Sequence, residues 1–219
     1  MCFSAGASFA GGAIIAGTGF LTIRAVRKPS EMLFASIPFL FGLQQFSEGL
    51  IWLTLRSGGY ETVQMAATIF FLIMALIVWP VMMPLAAYAM EPVRRRKNIL
   101  VALLLAGMIV SLYYAFCMLF YDFYPVIENH HIRYMGEWPA KLRNPVFAIY
   151  VIATIPPLFV SSIKHLKIMG ILILISVIVS GIFFKLYLTS VWCFFAALIS
   201  AVILWILKDQ HKESGKARG

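Results

Sequence analysis

The sequence predicts an all-α integral membrane protein: a seven-transmembrane-helix bundle with its N-terminus outside and its C-terminus cytoplasmic. Three observations carry that prediction. First, the chain is 62% hydrophobic and only 12% charged, whereas soluble domains average about 45–50% apolar and about 25% charged. Second, apolar runs long enough to span a bilayer, about 20 residues each, follow one another and nearly exhaust the 219 residues. A single transmembrane domain over 1–219 is therefore expected, with no separate soluble unit. Third, the basic residues alternate between loops. Arg24, Arg27 and Lys28, then Arg94 to Lys97, then Lys164 and Lys167, then Lys208, Lys212, Lys216 and Arg218 fall on one side. The other side has only Arg56, Arg133, Lys141, Arg143 and Lys185. That bias marks the cytoplasmic face. It also accounts for the net charge of +9 without nucleic acid as a partner; the partner is the lipid bilayer.

Segment one, about Ser8 to Ile23, has no positive residue ahead of it and so lacks the leading charge of a cleaved signal. Its Gly12, Ala16 and Gly19 form a small face suited to close helix contact. Segment two runs from Met32 to Leu55. Segment three, Val63 to about Ala87, carries Trp79-Pro80 and Pro84, which predict a kink. Segment four spans Ile99 to Phe120. Segment five, about Pro145 to Val160, is broken by Pro156-Pro157. Segments six (Ile168 to Phe184) and seven (about Tyr187 to Leu207) predict a tight helical hairpin around Lys185. The outer loop 121–144 is long and rich in aromatic and apolar residues. Val126-Ile127 and Ile132-Arg133-Tyr134 flank Glu128 to His131, which predicts a small hairpin or lid. The tail 208–219 is polar and cytoplasmic.

Within segment two lies Gln44-Gln45-Phe46-Ser47-Glu48-Gly49-Leu50-Ile51-Trp52. A charged side chain at mid-membrane costs about 2.5–3.5 kcal/mol on insertion scales, so Glu48 marks a site. Gln44 and Gln45 lie one turn below it and Trp52 one turn above, on or near one helix face. Both amides offer donors to a carboxylate. Tyr113, Tyr114, Cys117, Tyr150 and Trp192 fall at a similar outer depth, with His130 and His131 in the loop above. The four histidines, His130, His131, His165 and His211, all lie in loops or the tail. No H-E-x-x-H, G-x-S-x-G or phosphate-loop motif is present. The three cysteines show no metal-type spacing. Removal of Met1 would leave Cys2 with both an amine and a thiol, a pair able to chelate a soft metal or act as a nucleophile.

The opening Met1-Cys2-Phe3-Ser4-Ala5, with Gln44-Gln45-x-x-Glu48-Gly49-x-x-Trp52, resembles an uncharacterised family of small bacterial multi-pass membrane proteins that begin MCFSA. The resemblance is carried by the first two segments. It implies a bacterial inner-membrane protein and assigns no activity.

The functional expectation is an outward-facing intramembrane polar pocket around Glu48 that binds a small molecule or a metal ion. Gln44, Gln45, Trp52, Tyr113, Tyr114 and Trp192 would be the other ligand-binding residues. Cys2, Glu48, His130 and His131 would be the metal ligands. One alternative is a membrane-embedded enzyme that uses Cys2 with Glu48 or His130. Another is a small transporter hinged at its prolines.

Overall fold

The computed structural model describes residues 4–128, 131–183 and 200–206. Four helices are long and apolar enough to cross a membrane: Ala5–Arg24, Glu61–Met90, Arg94–Phe120 and Ala140–Val160. The first is α1. Its N-terminus is capped by the Ser4 hydroxyl, which accepts from the Ala7 N–H at 3.2 Å. A short 3-10 turn, Pro29–Glu31, leads into α2 (Met32–Ser57). The Glu31 carboxylate, 4% exposed, holds that turn by accepting from the Arg27 and Lys28 backbone N–H groups. With 26 residues, α2 reaches about 39 Å. It has the length of a span, but Gln44, Gln45 and Glu48 make it more polar than the others.

α1 and α2 form the most extensive helix pair, and small residues are the cause. A Cβ on Gly19 would overlap the Phe39 backbone, and one on Gly42 would meet Ala16 at 2.7 Å. The Gly12-Ala16-Gly19 face therefore packs as its composition suggests. The Thr22 hydroxyl fastens the pair by donating to the Ala35 carbonyl at 2.6 Å.

The 61–90 rod is three pieces: α3 (Glu61–Leu72), a π-helical turn (Ile73–Val78) and α4 (Trp79–Met90). Where the prolines suggest a kink, the chain forms this wide turn just ahead of Pro80. The Trp79 N–H bonds to the Met74 carbonyl, five residues back. The next acceptor in that register is Ala75 O, and its donor would be residue 80, a proline with no N–H. The Tyr150 hydroxyl supplies the missing donor at 2.8 Å, and Ser111 Oγ donates to the neighbouring Ile77 carbonyl at 2.7 Å. Pro84 likewise withholds the N–H that Pro80 O would accept. That carbonyl faces Gly107 of the next helix, where a Cβ would overlap it.

Helix α5 (Arg94–Phe120) follows. It exposes Leu105, Ile109, Leu112, Phe116 and Leu119 at helical spacing, a stripe suited to hydrocarbon rather than water. Next come two antiparallel strands, β1 (Phe123–Glu128) and β2 (His131–Gly136), with Phe123 opposite Gly136 and Glu128 opposite His131. The expected hairpin is present, and His131 sits in its second strand. Tyr134 stacks on Phe71 of α3 at 4.7 Å, and Ile132 is buried with Trp52, Ile51 and Leu72. The hairpin thus covers one end of α2 and α3.

Helix α6 (Ala140–Thr154) breaks at Ile155 before the short α7 (Pro156–Val160), as Pro156-Pro157 require. Then comes α8 (Lys164–Phe183). Residues 200–206 are helical, and Ile203 and Ile206 join the second core with Phe34, Phe41, Met83 and Met169. The expected turn around Lys185 lies outside the described residues.

At the basic end, Glu91 between α4 and α5 is 2% exposed. Its carboxylate accepts from Ser162 N–H (2.6 Å), Ser162 Oγ (2.7 Å), Val93 N–H (3.0 Å) and Ser161 Oγ (3.0 Å). Burial alone raises this carboxyl. The hydrogen bonds from Ser162, Val93 and Ser161 outweigh burial and hold it below its ordinary value of 4.5.

Candidate functional site

The polar stripe of α2 turns inward. Gln44, Gln45 and Glu48 are 3%, 0% and 0% exposed. Hydrocarbon and protein interior both penalise such groups unless hydrogen bonds replace water. Gln45 meets that need in part: its Nε2 donates to Glu48 Oε2 at 2.7 Å, a length typical of a charge-assisted bond.

Gln44 does something its sequence neighbourhood does not disclose. Its Oε1 accepts from the Trp79 indole N–H at 2.9 Å, across to α4. Trp79 is the first residue after the π-helical turn, and its ring stacks on Phe41 at 4.0 Å. The two carboxamides thus part company. Gln45 serves the carboxylate, and Gln44 bridges to the next rod.

Beside the Gln44–Trp79 bond opens a cavity of about 190 Å³. Its polar lining comes from Gln44, Trp79, Tyr114, Trp138, Tyr150 and Thr154. Each is positioned by a feature already described. Tyr150 is anchored to the freed Ala75 carbonyl. Thr154 turns its hydroxyl back onto the Tyr150 carbonyl at 2.9 Å. Tyr114 packs against Trp138, ring centroids 5.6 Å apart, and Trp138 in turn lies over Gly136 at the foot of the hairpin. Ala75 and Leu76 of the π-helical turn complete one wall, in keeping with the frequent placement of such turns at functional sites. Among the described residues none that lines the cavity is charged.

Of the residues expected to bind a ligand, Gln44 and Tyr114 line this cavity. Tyr113 sits edge-on to Tyr114 at 5.4 Å but does not line it. Gln45, Glu48 and Trp52 are buried beside it, outside its walls. The indole N–H of Trp52 and Oε1 of Gln45 have no hydrogen-bond partner among the described residues, and Arg56 lies over the Trp52 ring at 5.1 Å. Of the expected metal ligands, Glu48 and His131 are both buried. Cys2 and His130 lie outside the described residues, as does Trp192. Among the described residues no group of three or more His, Cys, Asp or Glu side chains is placed to hold a metal ion. Cys117 is a buried free thiol.

Trp79, Trp138, Phe147 and Thr154 are lining residues that sequence reasoning did not select. A signal existed for Trp79. Tryptophan favours the ends of spans, yet this one falls near the middle of its own. A polar aromatic at mid-depth needs a buried partner, and Gln44 is that partner.

No curated protein and no solved structure matches this chain. One family model, described as a family of unknown function (DUF6629), matches residues 1–218, and the chain belongs to that family.

Proposed function

We propose that this protein is a small-ligand-binding protein of the bacterial inner membrane, crossing it seven times with the N-terminus outside. Support for the crossings comes from the four long apolar helices, from the inward polar face of a fifth, α2, and from the apolar stripe of α5. Support for the orientation comes from the confinement of basic residues to alternate loops. The hairpin would then lie outside, over the binding region.

The observation that carries ligand binding is the cavity of about 190 Å³ at the Gln44–Trp79 bond. Ligand sites are mostly apolar hollows with a few placed polar groups, and this one has that composition. The Glu48–Gln45 pair lies next to Gln44 on the same helix, outside the cavity walls.

The test is saturable binding of 2-methylnaphthalene to the full chain in lipid nanodiscs, read by calorimetry against empty nanodiscs. The wild type should saturate, and Val151→Trp, which fills the cavity from α6, should not. Equal heats from both proteins would remove the cavity as a ligand site.

A further inference from the structure

We propose that the cavity beside Gln44 takes a neutral planar ring system bearing carbonyl oxygens, of the quinone or aromatic-ketone class. This rests on the reading of that cavity as a ligand site and adds the chemistry of its occupant.

Charge sets the first constraint. No lining residue among the described residues carries a charge. A carboxylate, phosphate or ammonium placed there would lose its water without gaining a counter-charge, and that cost is large. The occupant is therefore neutral.

Hydrogen-bond inventory sets the second. Gln44 is 3% exposed, and its Oε1 is engaged by the Trp79 N–H at 2.9 Å. The amide is thereby fixed with its two Nε2 hydrogens as the open side, and no protein acceptor for them occurs among the described residues. The Tyr114 hydroxyl makes no hydrogen bond among the described residues. The Trp138 indole N–H has no accessible surface and its edge packs against Gly136, so it offers the cavity no donor. Meanwhile the Tyr150 and Thr154 hydroxyl hydrogens are already committed to Ala75 O and Tyr150 O. Gln44 and Tyr114 thus offer open donors on the wall, and no carboxylate is among the described lining residues. Amide N–H groups cannot be turned into acceptors, so the occupant must bring the lone pairs. Carbonyl oxygens supply them on a neutral molecule.

Shape sets the third. Five aromatic residues, Trp79, Tyr114, Trp138, Phe147 and Tyr150, are among the lining. The Phe147 and Tyr150 rings lie nearly parallel, at 8°. Aromatic faces favour offset stacking on a second ring. A dry cavity of about 150 Å³ accepts a benzene, so about 190 Å³ suits one ring or two fused rings.

The experiment compares 2-methyl-1,4-naphthoquinone with 2-methylnaphthalene, the same rings without the oxygens, on the full chain in nanodiscs. The quinone should bind about tenfold tighter. Tyr114→Phe, which keeps the aromatic body and removes a donor, should weaken the quinone about 3- to 10-fold, the scale of one hydrogen bond. It should leave 2-methylnaphthalene unchanged. Equal affinity for the two compounds, or a Tyr114→Phe variant that fails to separate them, would overturn the ligand class and leave an apolar site in place. Saturable binding of neither compound would overturn the ligand site itself, and the class with it. A long-chain naphthoquinone dissolved in the bilayer serves as a further arm. Binding with the same dependence on Tyr114 identifies the membrane as the source. Binding of the tail-less compound alone identifies a dissolved one.

Discussion

Tyr150→Phe should cost about 1–2 kcal/mol in the wild type and less than about 0.5 kcal/mol once Pro80 is replaced by alanine. The reasoning starts at one carbonyl. Ala75 O sits in a π-helical register whose next donor would be residue 80, and proline has none. The Tyr150 hydroxyl fills the vacancy at 2.8 Å. Removing that hydroxyl loses a bond worth about 0.5–1.5 kcal/mol and strands a buried carbonyl at about 1–3 kcal/mol. Interhelical hydrogen bonds in membranes average nearer 0.6 kcal/mol, with a maximum of about 1.7, which pulls the sum down to the stated range. Phenylalanine keeps the ring and its near-parallel contact with Phe147, so packing changes little. With Pro80→Ala the helix regains an N–H for Ala75 O, and the hydroxyl becomes dispensable. The assay is denaturant unfolding of the four proteins of the double-mutant cycle in detergent micelles. An equal cost of Tyr150→Phe in both backgrounds would refute the link between the proline and the tyrosine.

Gly107→Ala forces a methyl group onto the Pro80 carbonyl oxygen; α4 and α5 must part, and the unfolding midpoint should fall by the equivalent of about 1–3 kcal/mol. Glu91 is held below 4.5 by its hydrogen bonds. A depressed carboxyl contributes stability that is complete above its unfolded value and is lost as pH falls through its folded one. Melting temperature should therefore drop below about pH 4.5 in the wild type, and Glu91→Gln should flatten that drop. In a cysteine-free background, a cysteine at Glu128 should react with an impermeant maleimide from outside intact cells, while one at Arg95 should not; the reverse pattern would invert the proposed orientation.

Much of this fold was legible because hydropathy is a one-dimensional property. Long apolar runs gave the 61–90 rod, α5 and α8 within about two turns at their ends. The Gly12-Ala16-Gly19 face found its partner in Phe39 and Gly42, and Val126-Ile127 with Ile132 to Tyr134 became a hairpin. The pairing of Gln45 with Glu48 was legible too, because it lies within one turn. The partner of Gln44 was not. Trp79 is 35 residues away, and which amide meets which helix depends on packing angles that periodicity does not encode. The π-helical turn was half legible. Pro80 announces a lost hydrogen bond, but the tertiary donors Tyr150 and Ser111, which serve the carbonyls of the turn, are 75 and 34 residues away from them. The cavity follows from those same contacts and was illegible for the same reason.

The Glu91 clasp carries a consequence for biosynthesis. Ser161 and Ser162 lie 70 and 71 residues downstream of the acid they grip. A nascent chain halted before them leaves that carboxylate hydrated among Arg94, Arg95 and Arg96. Only when the later serines emerge does water give way to protein donors. Fastening the last third of the molecule to its middle is thus deferred until most of the chain has left the ribosome.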